Sequence, residues 1–238
     1  MASRRLLLLS NSTNYGAGFL EHARITIQSF LGTNVREVLF VPFAAVRFSY
    51  DDFTAKVRDR FAESGYAVRG IHDTADPVKA VGNAEAIAVG GGNTFHLLQR
   101  LYDTGLLEPL RTRALHGAPY IGWSAGSNIA SPTIQTTNDM PIVEPPNFTA
   151  LGLVPFQINP HYTDAVLPSH GGETRADRLL EFVEVNSNMP VIALREGSIL
   201  RVEGNEVTLL GGRPARIFVN GLEPYEVDPE VSLQFLMG

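Results

Sequence analysis

A serine flanked by glycines, in Ile121-Gly122-Trp123-Ser124-Ala125-Gly126, closes a short apolar run and opens onto small, helix-compatible residues. Glycines at these positions let a chain turn sharply from strand to helix and let the two approach closely, which pushes the intervening side chain outward. The helix that follows would aim its free N–H groups at the same point, favouring developing negative charge there. The chemistry this permits is attack of the Ser124 hydroxyl on a carbonyl carbon. Spacing alone is a weak signal, since Gly-x-Ser-x-Gly arises by chance in roughly a tenth of chains of this length. The strand-turn-helix setting gives it weight.

A serine needs a base to take its proton. Of the six histidines, His22, His72, His96, His116 and His170 fall on expected helix faces or strand-end loops, the ordinary places for partly exposed polar residues. His161 lies in Gln157-Ile158-Asn159-Pro160-His161-Tyr162, a segment broken by Pro160, which puts the imidazole where a strand ends. Strand ends line the ligand crevice of doubly wound sheets, so His161 is the expected base for Ser124 rather than a hydrogen-bonded loop histidine. A third group must orient the imidazole. Asp139 and Glu196 both stand at loop or strand-end positions, and spacing does not choose between them; otherwise Asp139 would cap a turn and Glu196 would pair with Arg195.

Gly90-Gly91-Gly92-Asn93-Thr94 follows an apolar strand and precedes a helix, so its backbone N–H groups are free to converge on an anion. It lacks the lysine and hydroxyl of a P-loop and the spaced glycines of a dinucleotide fingerprint. Gly91 and Gly92 could instead join the Ala125 N–H as oxyanion donors opposite Ser124, with Asn93 beside them as a substrate contact; the plain alternative is a tight turn. Arg175 opens a helical segment running to Val185, a place the helix dipole disfavours for a cation. An anionic ligand explains it better than helix stability does, the alternative being a surface pair with Glu173 or Asp177.

These residues require a parallel sheet to bring them together. Strands are expected at Arg5–Leu9, Glu37–Pro42, Ala67–Ile71, Ala86–Val89 and Pro119–Gly122, alternating with amphipathic stretches Gly18–Phe30, Tyr50–Ser64, Thr94–Tyr102 and Leu107–His116. That alternation gives an α/β fold, three-layered and doubly wound, with helices on both faces. Val191–Leu194, Ser198–Val202, Glu206–Leu210 and Ala215–Val219, separated by Gly204-Asn205 and Gly211-Gly212, read as C-terminal antiparallel hairpins. The proline-rich, aperiodic Thr136–Pro155 reads as a long ordered loop, and no linker or repeat divides residues 1–238 into more than one domain.

The 238 residues are 44% hydrophobic and 18% charged and carry a net charge of -6, with no basic cluster beyond Arg4-Arg5, which argues against nucleic acid as a partner. With no cysteine, a thiol nucleophile, a thiolate metal site and disulfides are excluded. No His-Glu-x-x-His spacing occurs, and neither metal nor cofactor is expected. The apolar run Leu6–Leu9 is too short for a signal-peptide core or a membrane span, so the expectation is a cytoplasmic protein away from membranes.

Together these segments resemble the peptidase E family of α-aspartyl dipeptidases, within the serine peptidases that also include cyanophycinases. The resemblance rests on Leu7-Leu8-Leu9-Ser10-Asn11-Ser12-Thr13, Gly90-Gly91-Gly92-Asn93-Thr94-Phe95, Tyr120–Gly126, Thr136-Thr137-Asn138-Asp139-Met140-Pro141-Ile142-Val143, Gln157–His161 and Gly172-Glu173-Thr174-Arg175. It implies a fold like that of class I glutamine amidotransferases, with serine in place of their elbow cysteine. It implies hydrolysis of Asp-Xaa dipeptides, with Ser124 as nucleophile, His161 as general base and either Asp139 or Glu196 as the third member. The expected partner is the dipeptide, and the expected assembly a monomer or homodimer. Two other readings are a cyanophycinase-like or isoaspartyl peptidase, and a non-catalytic anion- or nucleotide-binding module.

Overall fold

The computed structural model describes residues 4–165 and 171–238. The chain begins with β1 (Arg5–Leu9), α1 (Arg24–Leu31), β2 (Glu37–Val41), α2 (Tyr50–Ala62), β3 (Ala67–Gly70), α3 (Pro77–Asn83), β4 (Ala86–Val89), α4 (Thr94–Asp103), α5 (Leu107–Leu115), β5 (Tyr120–Trp123) and the short α6 (Ala125–Asn128). After a long irregular segment come β6 (Gln157–Tyr162), α7 (Arg175–Val185), β7 (Val191–Arg195), β8 (Ile199–Glu203), β9 (Glu206–Leu210), β10 (Ala215–Phe218) and β11 (Tyr225–Val227).

The main sheet has the order β3-β2-β4-β5-β1-β8-β9. Its first five strands are parallel, and β8 and β9 are added antiparallel at the β1 edge. Alternate side chains of a strand point to opposite faces, and here both faces are covered. Leu6 and Leu8 enter one core with Leu39, Val41, Ile87 and Val89. Leu7 and Leu9 enter the other with Val38, Phe40, Ala86 and Ala88. Continuous apolar runs such as Leu6–Leu9 are what a strand buried on both faces requires. This is the expected mixed α/β architecture with a mostly parallel central sheet.

Two expectations need correction. The first helix begins later than Gly18, because Leu20 adopts a left-handed conformation (φ 51°) and a 3-10 turn over Glu21–Ala23 precedes Arg24. The C-terminal strands are not one set of hairpins. Only β8 and β9 form a hairpin within the main sheet, whereas β7 and β10 belong to a second sheet of order β11-β10-β7-β6. There β7 runs parallel to β6 and antiparallel to β10. Val191 to Leu194 are all fully buried, so β7 has no solvent face whose periodicity could have assigned it to a sheet. α7 covers this sheet through Leu179 and Val183, which pack with Tyr162, Val191, Ala193 and Phe218.

Candidate active site

Ser124 stands at the turn between β5 and α6 with φ 53° and ψ -113°. A non-glycine residue in such a conformation costs on the order of 1–3 kcal/mol and persists only where its surroundings impose it. The surroundings here are tight. A Cβ on Gly122 would overlap the Gly126 carbonyl, and one on Gly126 would overlap the Val89 carbonyl. The Ser124 N–H donates to the Leu9 carbonyl at 3.1 Å. Trp123, stacked on Phe40 with centroids 5.7 Å apart, anchors the strand side of the turn in the core.

His161 lies at the end of β6, with its Nε2 3.0 Å from Ser124 Oγ and its Nδ1 2.9 Å from Glu196 Oε1. An ionised carboxylate can only accept, so Nδ1 carries the hydrogen and Nε2 is left to accept from the serine hydroxyl. Glu196, just beyond β7, is therefore the acid that faces the histidine. Asp139 is engaged elsewhere: its Oδ2 accepts from the Thr94 N–H at 2.7 Å, from Thr94 Oγ1 at 2.6 Å and from Thr137 Oγ1 at 3.2 Å. It sits at the N-terminus of α4, where the helix dipole favours a carboxylate. Glu196 makes no pair with Arg195, whose guanidinium instead holds Asp164 and Glu226.

Gly91 lies directly against the nucleophile, since a Cβ there would come within 2.9 Å of Ser124 Cβ and 3.0 Å of the Trp123 carbonyl. Gly92 has φ 141° and is pressed on the Ala44 carbonyl. Among the described residues neither glycine N–H has a protein acceptor, and the Ala125 N–H belongs to the first helical turn, which has no intrahelical partner. Asn93, expected to touch substrate, is the N-cap of α4. Its Oδ1 accepts from the His96 N–H at 3.0 Å and its Nδ2 donates to the Met140 carbonyl at 2.8 Å, so both ends of the amide hold the protein's own backbone.

Arg175 is the first residue of α7, capped by Thr174, and Asp177 completes the capping box. Asp177 is thus engaged, and Glu173 lies 3.8 Å from Arg178. Among the described residues no carboxylate pairs with Arg175. Its guanidinium donates to Asn138 Oδ1, and burial beside Arg178 lowers its pKa from the ordinary arginine value. Asn138 also donates to the Pro160 carbonyl at 2.6 Å and accepts from Asn159 Nδ2 at 2.7 Å, which ties Arg175 to the strand carrying His161.

The remaining histidines serve locally. His96 Nδ1 contacts the Phe43 carbonyl, His116 Nδ1 the Thr112 carbonyl, and His72 Nε2 the Asp51 carboxylate. His22 is half-buried, and desolvation lowers its pKa. His170 lies outside the described residues. Nothing in the sequence alone assigns a role to Ser10, Asn11 and Asn138. Ser10 and Asn11 directly follow an apolar strand, and that was the available signal that they stand at the same sheet end as Ser124 and Gly91.

An elbow serine, a histidine and a carboxylate in hydrogen-bonded series at the carboxyl end of a parallel sheet define a serine-type hydrolase on an α/β scaffold. The model for "Peptidase family S51" matches residues 6–210, and the chain belongs to that family. It is 50% identical over 235 residues to "Peptidase E" of Nostoc sp., covering 99% of this chain and 97% of the relative. It is 48% identical over 239 residues to "Probable alpha-aspartyl dipeptidase" of Drosophila melanogaster, covering 99% and 98%. The crystal structure of a peptidase from an acI-B1 Actinobacterium has the same fold, with a TM-score of 0.72 at 19% identity over 97% of this chain and 96% of that one. No helix among the described residues is long and apolar enough to cross a membrane.

Proposed function

We propose that this chain, acting as one catalytic domain in the cytoplasm as a monomer or homodimer, hydrolyses dipeptides with an N-terminal aspartate through an acyl-enzyme. The observation that carries the reading is the series Ser124 Oγ, His161 and Glu196, joined at 3.0 and 2.9 Å. His161 Nε2 takes the Ser124 proton as Oγ bonds to the carbonyl carbon of the substrate aspartate. The Gly91, Gly92 and Ala125 N–H groups receive the resulting oxyanion, an interaction worth about 3 kcal/mol per donor. The imidazolium, steadied by Glu196, returns the proton to the leaving amine as the C–N bond breaks. A water then repeats the sequence and releases aspartate.

Arg175 is the proposed ligand for the side-chain carboxylate of the substrate aspartate. A partly desolvated guanidinium without a carboxylate partner among the described residues gains from a bound anion, and its planar fork suits a carboxylate. The family and the names carried by the Nostoc and Drosophila relatives support the same substrate class. Asp139 is assigned a structural role at the start of α4, and Asn93 the role of fixing that same loop.

The test is free aspartate released from Asp-Leu, Glu-Leu and β-Asp-Leu. Cleavage of Asp-Leu alone is expected. Preference for β-Asp-Leu would move the assignment to an isoaspartyl or cyanophycinase-like peptidase, and no cleavage of any of the three, with tight binding of a nucleotide or phosphate, to a binding module.

A further inference from the structure

β6 and β7 pair in parallel through Gln157–Val191, Ile158–Ile192 and Asn159–Ala193, then re-pair at Tyr162–Arg195. Three steps on β6 thus match two on β7, which is a bulge. Its cause is readable in the residues. Pro160 has no N–H to give to the ladder, and His161 takes a left-handed conformation (φ 54°). The bulge re-aims the His161 side chain at Ser124, and it opens a gap in the ladder opposite Leu194.

The gap is filled by a side chain from the other sheet. The His161 N–H donates to Ser10 Oγ at 2.9 Å, and Ser10 Oγ donates to the Leu194 carbonyl at 2.8 Å. The hydroxyl therefore stands where the interrupted ladder would have placed a direct bond, donating and accepting at once. Ser10 and Leu194 are fully buried, so water has no access to replace it. The neighbouring residues reach the other two members of the series. The Leu9 carbonyl accepts from the Ser124 N–H at 3.1 Å, and Asn11 Oδ1 accepts from the N–H of Gly197, next to Glu196, at 2.8 Å. Asn11 is itself held, donating to Thr13 O and Asn14 Oδ1 at 2.9 and 2.8 Å.

We propose that Leu9-Ser10-Asn11, at the end of β1, is the positioning element of the catalytic series: it fixes the backbones at Ser124, His161 and Gly197 from one short stretch of chain, with the Ser10 hydroxyl setting the height of His161 over Ser124. These three groups come from two sheets and three distant parts of the sequence, and residues 9–11 touch all of them. Ser10 and Asn11 are positioning residues, since their side chains act on the series through its backbone. The inference rests on the proposed roles of Ser124, His161 and Glu196.

The test compares wild type, Ser10→Ala, Ser124→Ala and, as a stability control, Tyr66→Phe. Tyr66→Phe removes a hydroxyl that bonds the Gln28 and Gly32 carbonyls just before β3, at the amino end of the parallel sheet, whereas Ser124 stands at its carboxyl end. In Ser10→Ala, kcat for Asp-Leu is expected to fall on the order of a hundredfold, as small misplacements of catalytic groups do. KM should change less than threefold, and the downfield proton resonance of His161 Nδ1–H bonded to Glu196 should shift or broaden. Tyr66→Phe should lose comparable thermal stability and keep both kcat and that resonance. A Ser10→Ala enzyme with wild-type kcat and an unmoved resonance would overturn the proposal. Full activity in Ser124→Ala would instead overturn the reading of the site on which it rests. If Ser10→Ala does not fold, Asn11→Ala carries the same test through Gly197 and Glu196, with the same two readouts and the same refuting result.

Discussion

Replacing Glu196 and Asp139 separately by alanine separates an acid that serves the reaction from one that serves the fold. Glu196 Oε1 lies 2.9 Å from His161 Nδ1, and the two side chains are 51% and 40% exposed. Unit charges 4 Å apart attract by about 1 kcal/mol in water and about 4 kcal/mol at an effective dielectric of 20. A half-exposed pair falls between, so losing the carboxylate should cost about 3 kcal/mol in the transition state, where the imidazole is charged. That is about a hundredfold in kcat. It is less than the roughly ten-thousandfold reported for a buried orienting aspartate, because water can reach Nδ1 here. Stability should change little, since an exposed pair contributes at most about 1 kcal/mol.

Asp139 accepts three hydrogen bonds at the start of α4. Bonds to a charged acceptor are worth about 1.5–3 kcal/mol each, and water recovers part of that at a half-buried site. Asp139→Ala should therefore cost about 3 kcal/mol of stability, which is about 6–12 °C in Tm for a domain of this size. Some activity should be lost with it, because Gly91 and Gly92 directly precede this helix. The assay pairs initial rates on Asp-Leu with thermal denaturation of both variants. An Asp139→Ala enzyme with wild-type Tm and a thousandfold lower kcat, beside a Glu196→Ala enzyme within threefold of wild type, would refute the assignment.

Gly91→Ala should lower kcat at least tenfold with a smaller change in KM, because its Cβ would meet Ser124 Cβ at 2.9 Å and so move the loop off the nucleophile; initial-rate kinetics check this. Arg175→Met should raise KM for Asp-Leu by a hundredfold or more, and Arg175→Lys should not restore it, because an ammonium lacks the planar fork; the KM series reads this directly. His22 makes stability pH-dependent. Its two ring nitrogens are buried without partners among the described residues, and burial holds its pKa below the ordinary 6.5. The unfolded chain thus binds the proton first, so this contribution is complete above about pH 6.5 and is lost as pH falls through the depressed folded value. Denaturant midpoints measured from pH 8 to 5 should decline less steeply in His22→Gln than in wild type.

Ser124 and the five parallel strands were legible because their signals are local. Flanking glycines specify the elbow, and unbroken apolar runs specify strands buried on both faces. His161 was legible through Pro160, which interrupts the ladder of β6 just before it. The choice between Glu196 and Asp139 was not, because it depends on β7 pairing with β6 in a second sheet, and a fully buried strand carries no periodicity that says which neighbour it takes. α3 is faint in the sequence although Asp76 before Pro77 is a strong start signal, since only seven residues follow and Gly82 weakens the helical pattern. The N-cap role of Asn93 was not legible, because an N-cap and a ligand contact call for the same residue type after a strand. The role of Ser10 was invisible for the opposite reason, as its two partners lie 151 and 184 residues away.

The central claim is that Ser124 forms the acyl-enzyme. The most direct measurement is aspartate release from Asp-Leu by wild type and Ser124→Ala in the presence of a chelator, together with mass-spectrometric mapping of the adduct formed with a serine-directed fluorophosphonate. Hydrolysis that persists with chelator, is abolished by Ser124→Ala, and is blocked by an adduct mapped to Ser124 is the expected result. Undiminished hydrolysis by Ser124→Ala, or inactivation by an adduct on another residue, would contradict it.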